Sequence, residues 1–375
     1  MKKKLIIVAI TTLKLLANII YFFIKLFPIK EQIVMISRQS NNITLDFKLI
    51  KDRMNEKYNN IKLVVLCKKL DNGIRNKVLY CIHMLKIMYY LATSKICILD
   101  SYCIPVSILK HKKKLKIIQI WHASGAVKKF GYQIIDKKEG ANSLVAQLMC
   151  MHKNYDYVIA PSETTKNIFS EAFNIPREKI IKLGLPRLEY IINTKYDKSD
   201  EIYRQYPHLK NKKNILYIPT FRKNNDINLV DNVIQTKIDK NKYNLIISLH
   251  PLDKTNVPSE YLIDKKYSSC DLIKIADYII TDYSALSIEA SILEKPIFLL
   301  LKDLQYYEQN RGLNINLQKE LPSFVCKNFV EIMDKIEKKE YNMKELINYK
   351  NKYIEINVKN ALDDIVRFII NEEKI

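Results

Sequence analysis

The sequence predicts an α/β protein: two doubly wound parallel sheets preceded by an amphipathic, hydrophobic helix. Short apolar runs alternate with helical stretches along most of the chain. These runs are continuous in hydrophobicity rather than alternating, as strands covered on both faces must be. The alternation pauses once, in a polar lysine-rich stretch, and then resumes, so two similar domains are expected.

The chain opens with Met1-Lys2-Lys3-Lys4 and then LIIVAITTLKLLANIIYFFIKLF. A basic start before apolar residues resembles a signal peptide, but no small-residue cleavage site follows. A spanning helix needs about 20 apolar residues in succession, and Lys14 interrupts this run. On a helix, Thr11, Lys14, Asn18 and Lys25 share one face. Residues 1–30 are therefore expected to form a helix lying in the membrane interface, lysines among anionic headgroups and apolar side chains in the acyl boundary. A helix packed on the protein's own core is the alternative, and a true span the third possibility.

Candidate strands of the first domain (31–190) are QIVMIS (32–37), IKLVVLC (61–67), KICILD (95–100), KIIQIWH (116–122), YDYVIAPS (155–162) and KIIKLG (179–184). Helices are expected near 73–93 and 162–173, the latter with Ser162 as N-cap. Residues 191–213 read as the connection. The second domain (214–328) supplies NILYIPT (214–220), YNLIISLH (243–250), ADYIITD (276–282) and KPIFLL (295–300). Charged amphipathic helices fill 329–375.

Composition narrows the function. The 375 residues suffice for two well-buried cores, with 48% hydrophobic and 27% charged residues. A formal charge of +22 calls for an anionic partner: nucleic acid, an acidic membrane leaflet or phosphate-bearing substrates. Lysine dominates over arginine, whereas arginine is the residue suited to bidentate reading of nucleic acid, so no nucleic-acid partner is expected. The seven cysteines are odd in number and form no CxxC pair, so reduced thiols are expected. No HExxH-like spacing supports a metal site, and no cofactor is expected.

The chemistry sits at strand tips, where ligands of open α/β sheets bind. KIIQIWH ends at His122, followed by Ser124 and Gly125; ILYIPTFR carries Thr220 and Arg222; NLIISLHP carries His250; YIITDYSALS carries Asp282, Ser284 and Ser287. The two histidines are expected to face one cleft from opposite walls. A helix starting near Ala285 would offer an anion site, with Ser284 and Ser287 on its first turn. Arg222 can fork onto phosphate oxygens, and YYEQNRG adds Arg311 with a glycine for close approach. His122 suits proton abstraction near neutral pH. Singly, each has a plainer reading: structural histidine, ordinary N-cap, solvated Lys128 and Lys129. Together they make a site.

WHASGAVKKFG, GLPR, ILYIPTFR, SLHP, ADYIITDYSALSIEASILEKPIF and YYEQNRG follow the order and spacing of the CDP-glycerol glycerophosphotransferase family, which the chain resembles from about residue 95 to 325. The resemblance implies two Rossmann-like domains in the GT-B architecture. It also implies a bacterial enzyme of teichoic-acid-type synthesis that moves glycerol phosphate, or ribitol phosphate, from a CDP-linked donor to a hydroxyl of an undecaprenyl-diphosphate-linked glycan, releasing CMP at the cytoplasmic face of the membrane. By this resemblance His122 is the base and His250 its phosphate-facing partner. Arg222, Ser284 and Arg311 would contact the donor pyrophosphate, and Asp282 would orient the loop. The chain departs from the common pattern at WHASG, at Ala285 and at LPSF (321–324). Two other readings stay open: a sugar-nucleotide glycosyltransferase of the same architecture, and a basic membrane-surface or nucleic-acid-binding protein.

Overall fold

The structure, a computed structural model, describes residues 2–58, 60–220, 229–236, 238–250, 253 and 255–373. Contacts divide the chain into two units. One comprises Met1–Ser124, Lys129–Arg187 and Ile356–Ile375, the other Gly125–Lys128 and Leu188–Glu355.

The first unit is built on a fully parallel sheet of β1 (Gln32–Ser37), β2 (Lys62–Cys67), β3 (Ile96–Leu99), β4 (Lys116–Gln119), β5 (Tyr157–Ala160) and β6 (Ile180–Lys182), in the order β2-β1-β3-β4-β5-β6. Val34 sits between Val64 and Cys97, and Ile98 pairs with Ile118. Every residue of β1 and β3 is buried, whereas the edge strand β2 buries only Leu66 completely. This is the burial that continuous apolar runs anticipate, each buried Ile or Leu contributing about 1.5–3 kcal/mol. Helix Glu163–Phe173 starts as expected, the Ser162 hydroxyl accepting the Thr165 N–H at 3.1 Å, and stops at Asn174 in the left-handed conformation. The last helix, Ala361–Glu373, returns to this unit. It packs against helix Leu45–Lys57, from which Arg53 and Lys57 both reach Asp363, at 2.6 and 2.9 Å.

The second unit holds a parallel sheet of β7 (Lys213–Tyr217), β8 (Tyr243–Ile247), β9 (Tyr278–Thr281), β10 (Ile297–Leu300) and β11 (Val325–Cys326), in the order β11-β10-β9-β7-β8. The doubly wound α/β expectation holds for both sheets. Strand β11, two residues long, is too short to register as an apolar run. Residues 191–213, read from the sequence as a connection, carry helix Ser199–Gln205 and pack into this unit, where Lys198 reaches Asp271 at 3.3 Å. In each sheet the chain reverses its direction of winding once, beside β1 in the first and beside β7 in the second. Such reversal opens a crevice at the carboxyl ends of the flanking strands.

Helix Lys2–Ile24 forms where expected and is long and apolar enough to cross a membrane. Its orientation corrects the expectation. The Lys14 ammonium donates to the Leu148 carbonyl at 3.3 Å and lies 2.8 Å from Cys150 Sγ. Asn18 donates to Ile108 O and accepts from Lys110 N, Tyr21 OH lies 2.9 Å from His111 Nδ1, and Lys25 donates to Lys110 O. The polar seam therefore faces the protein, where the Ile108, Lys110 and Leu148 carbonyls accept from its side chains. Leu5, Val8, Leu15, Leu16, Ile19, Phe22 and Phe23 face outward instead, Leu15 at 62% exposure.

Gly131 ends the WHASGAVKKFG segment at φ 59°, and a Cβ there would lie 2.1 Å from the Ala172 carbonyl oxygen. Gly131→Ala is expected to lower stability by about 1–3 kcal/mol, read as a lower denaturant midpoint at unchanged slope.

Candidate active site

In the first unit, the tips of β1, β3 and β4 converge beside the winding reversal. Strand β4 stops at Gln119 rather than running on to His122, because Trp121 adopts φ 61°. For so bulky a residue this conformation costs on the order of 1–3 kcal/mol. Two features hold it. The fully buried Gln119 side chain donates to Ser101 O at 3.2 Å and accepts Trp121 N–H at 2.9 Å. The indole stacks on Phe130 at 4.8 Å and meets Phe173 edge-on at 5.2 Å, so offset and T-shaped ring contacts offset the strain.

With the indole turned into that cluster, His122 is aimed at the strand tips. Its Nδ1 lies 3.2 Å from the Asp100 backbone carbonyl, and the Gln39 amide lies at the same distance. The carbonyl can only accept and favours a proton on Nδ1, which leaves the Nε2 lone pair free, whereas the Gln39 NH2 can only donate and favours the other tautomer. Burial, reinforced by the positive charge of Arg187, pushes the imidazole down to about 4, against a partial counterweight from the Asp100 carbonyl and Asp46. At neutral pH His122 is an uncharged base. Arg187, from GLPR, is held by buried Asp46, which accepts its Nε–H at 2.8 Å and its backbone N–H at 2.9 Å. Burial also raises the Asp100 carboxyl to about 6.

In the second unit, the reversal beside β7 is closed by a carboxylate. Buried Asp282, just beyond β9, accepts the Thr220 N–H at 3.0 and 3.2 Å, tying the loop after β7 to the end of β9. Thr281 reinforces this, its hydroxyl donating to Ile218 O at 2.7 Å. Lys128 lies 3.5 Å from Thr220 Oγ1 and 5.7 Å from the centre of the Tyr307 ring, which itself packs on Tyr283 at 4.2 Å. Lys128 also bridges Leu313, just past Arg311 and Gly312; Gly312 takes φ 92°, which glycine alone adopts readily.

The structure thus brings Thr220, Asp282 and the ring of the YYEQNRG motif together, with Arg311 at the end of helix Leu304–Asn310. Ser284 accepts the Leu286 N–H at 3.2 Å, one residue earlier than an N-cap of the short helix Leu286–Ala290. The long dipolar helix expected from residue 285 onward is only this five-residue piece. The Ser287 hydroxyl is buried and committed to Ser284 O and Tyr349 OH at 2.9 and 3.0 Å, so it supports the loop from behind. Ser124 is buried beside the first unit's tips, His250 is exposed at the end of the edge strand β8, and Arg222 lies outside the described residues.

Sequence reasoning misses Gln39, Asp100, Arg187 and Lys128. Asp100 ends an apolar strand and Arg187 ends the GLPR motif, which is a usable signal. Lys128 reads as a solvated lysine, and its aromatic partner is distant in sequence.

The chain matches the family model described as CDP-Glycerol:Poly(glycerophosphate) glycerophosphotransferase over residues 19–371. It is 30% identical to the teichoic acid ribitol-phosphate primase of Bacillus spizizenii, covering 83% of this chain and 84% of the relative. It is 31% identical to the teichoic acid glycerol-phosphate primase of Bacillus subtilis, covering 77% of each. Its fold is shared with the wall teichoic acid polymerase TagF at a TM-score of 0.75 and 20% identity, covering all of this chain and 97% of the other. The UDP-GlcNAc 2-epimerase of Methanocaldococcus jannaschii shares the fold more loosely, at a TM-score of 0.56 and 16% identity, covering 91% of this chain and 99% of the other.

A ring-proton titration followed by NMR is expected to place the His122 midpoint near 4. In Arg187→Gln the midpoint moves upward, since a repelling cation is lost and Asp46 is left unpaired. A wild-type midpoint at the ordinary value of about 6.5 would contradict the described environment.

Proposed function

Because the chain belongs to the CDP-glycerol:poly(glycerophosphate) glycerophosphotransferase family, we propose that it transfers glycerol phosphate, or a related polyol phosphate, from a CDP-linked donor to a hydroxyl of a lipid-linked glycan, releasing CMP. The observation that carries this reading is the neutral imidazole of His122 at a strand tip, its Nδ1 against the Asp100 carbonyl.

In this reading the acceptor hydroxyl gives its proton to His122 Nε2 as its oxygen attacks the β-phosphorus. The bond between that phosphorus and the CMP oxygen breaks, and negative charge passes to CMP. Catalysis of this kind is mainly positioning and neutralisation of moving charge. Lys128 and Arg311, with Arg222 and His250, would neutralise the diphosphate, while the Asp282 clamp fixes the Thr220 loop that presents it. A bound diphosphate would also favour the imidazolium, strengthening the base at the moment it is used.

The outward apolar face of helix Lys2–Ile24 supports attachment to a membrane surface at which a lipid-linked acceptor is presented.

With CDP-glycerol and a lipid-diphosphate acceptor, wild-type protein is expected to release CMP. His122→Ala should lower kcat by about 10²–10⁴-fold, with the donor KM little changed. Unimpaired turnover in that variant would remove His122 as the base, and comparison of CDP-glycerol with CDP-ribitol identifies the donor. The acid limb of kcat/KM should fall near pH 4, since the base is protonated only below its depressed pKa. Separately, Leu15→Glu/Ile19→Glu is expected to abolish sedimentation with phosphatidylcholine vesicles while leaving CMP release from a soluble acceptor analogue intact.

A further inference from the structure

Beneath the N-terminal helix, at the edge of the first sheet opposite His122, lies a cleft of about 460 Å³. Leu115 and Ile117, at the amino end of β4, and Asp156, just before β5, mark that edge. Lys14, Lys110, Lys112, Lys113, Lys153 and Lys179 line it. Among the described residues none of the six makes an ion pair. Asp156, the one carboxylate in the lining, accepts the Ile117 N–H at 2.8 Å. Lys14 and Lys112 donate to neutral groups: Lys14 to Leu148 O, and Lys112 to Phe27 O at 2.6 Å. Burial and the nearby Lys25 hold the Lys112 ammonium below its ordinary value.

His111 ties the cleft to the helix and carries no charge of its own into it: Nδ1 takes the Tyr21 hydroxyl and Nε2 donates to Val106 O at 2.8 Å. Six crowded ammonium groups against the single carboxylate of Asp156 are a standing electrostatic cost, relieved by a bound anion. The same helix that sends Lys14 into the cleft turns Leu15, Leu16 and Ile19 outward. Helix Ile74–Thr93 packs beside it and exposes Ile74, Val78, Ile82 and Leu85. Neither helix contains an acidic residue. The helix that covers the cleft thus carries positive charge on its inner face and exposed apolar surface on its outer one, the pairing offered by a phosphate beneath acyl chains.

We propose that this cleft binds the headgroup phosphate of an anionic glycerophospholipid, its acyl chains lying along the exposed face of helix Lys2–Ile24. The inference rests on the membrane reading of that helix and adds a specific lipid contact distinct from the active site.

The test uses the full chain with phosphatidylcholine vesicles, with and without phosphatidylglycerol, and Lys110→Gln/Lys113→Gln/Lys153→Gln against a matched triple at Lys210, Lys240 and Lys338. Wild type is expected to bind neutral vesicles and to gain affinity with phosphatidylglycerol. The cleft variant should keep neutral binding but lose the gain by on the order of 100-fold, at roughly fivefold per lysine, while the matched triple keeps it within a few-fold. A gain unchanged in the cleft variant, or lost equally in both triples, overturns the site alone. Absence of wild-type binding to any vesicle overturns the membrane reading and the site with it. Inorganic phosphate and short-chain phosphatidylglycerol, each titrated while the His111 ring signals are watched, separate the sources. A response to phosphate together with an unchanged vesicle gain would make this a soluble-anion site and overturn the lipid assignment.

Discussion

The first unit's chemistry depends on one backbone inversion, at Trp121. Were that residue in ordinary strand geometry, β4 would run straight on and strand alternation would send the His122 ring to the opposite face. Instead the indole is drawn down among Phe130 and Phe173, and the next residue is delivered to the strand tips with its Nδ1 against a carbonyl. The strain is local, and its stabilisation is shared: Gln119 bonds both the inverted residue and the neighbouring loop. An amide inside an apolar strand is a cost in isolation, removed here because both its polar ends are used.

The second unit solves the corresponding problem with charge instead of aromatic packing. Asp282 holds Thr220 by its backbone N–H, so the position of that residue does not depend on its own side chain. Around that clamp, Lys128 sits against an aromatic face and a hydroxyl. The Tyr283–Tyr307 pair packs the turn after β9 against the helix that Arg311 closes. The two units thus arrive at similar architecture, with polar groups at the carboxyl ends flanking a winding reversal, by different local devices.

Legibility in the sequence is a matter of range. Strands such as QIVMIS and KICILD declare themselves because burial on both faces leaves a local, continuous apolar signature. The residues at their ends are legible for the same reason, since a polar group closing such a run must be at a tip. The partners are not legible. Gln39 and Asp100, just past two strands, and Arg187, on a helix, act on His122 from separate elements, and no periodicity connects them. Lys128 looks like any lysine because its aromatic neighbour lies far along the chain. The N-terminal helix shows a subtler limit: amphipathicity reveals two faces but not which will find partners, and loop 108–115 decides that by presenting carbonyls to the polar one.

That seam has a mechanical corollary. A helix fastened over its carboxyl-terminal half by Lys14, Asn18 and Tyr21, and just past its end by Lys25, cannot detach there without stranding the groups it satisfies. Whatever the outer face rests upon, the tilt and height of the β4 tip above that plane are set by the same few bonds. Reach is then a property to be met by the length of the incoming substrate rather than by movement of the anchor.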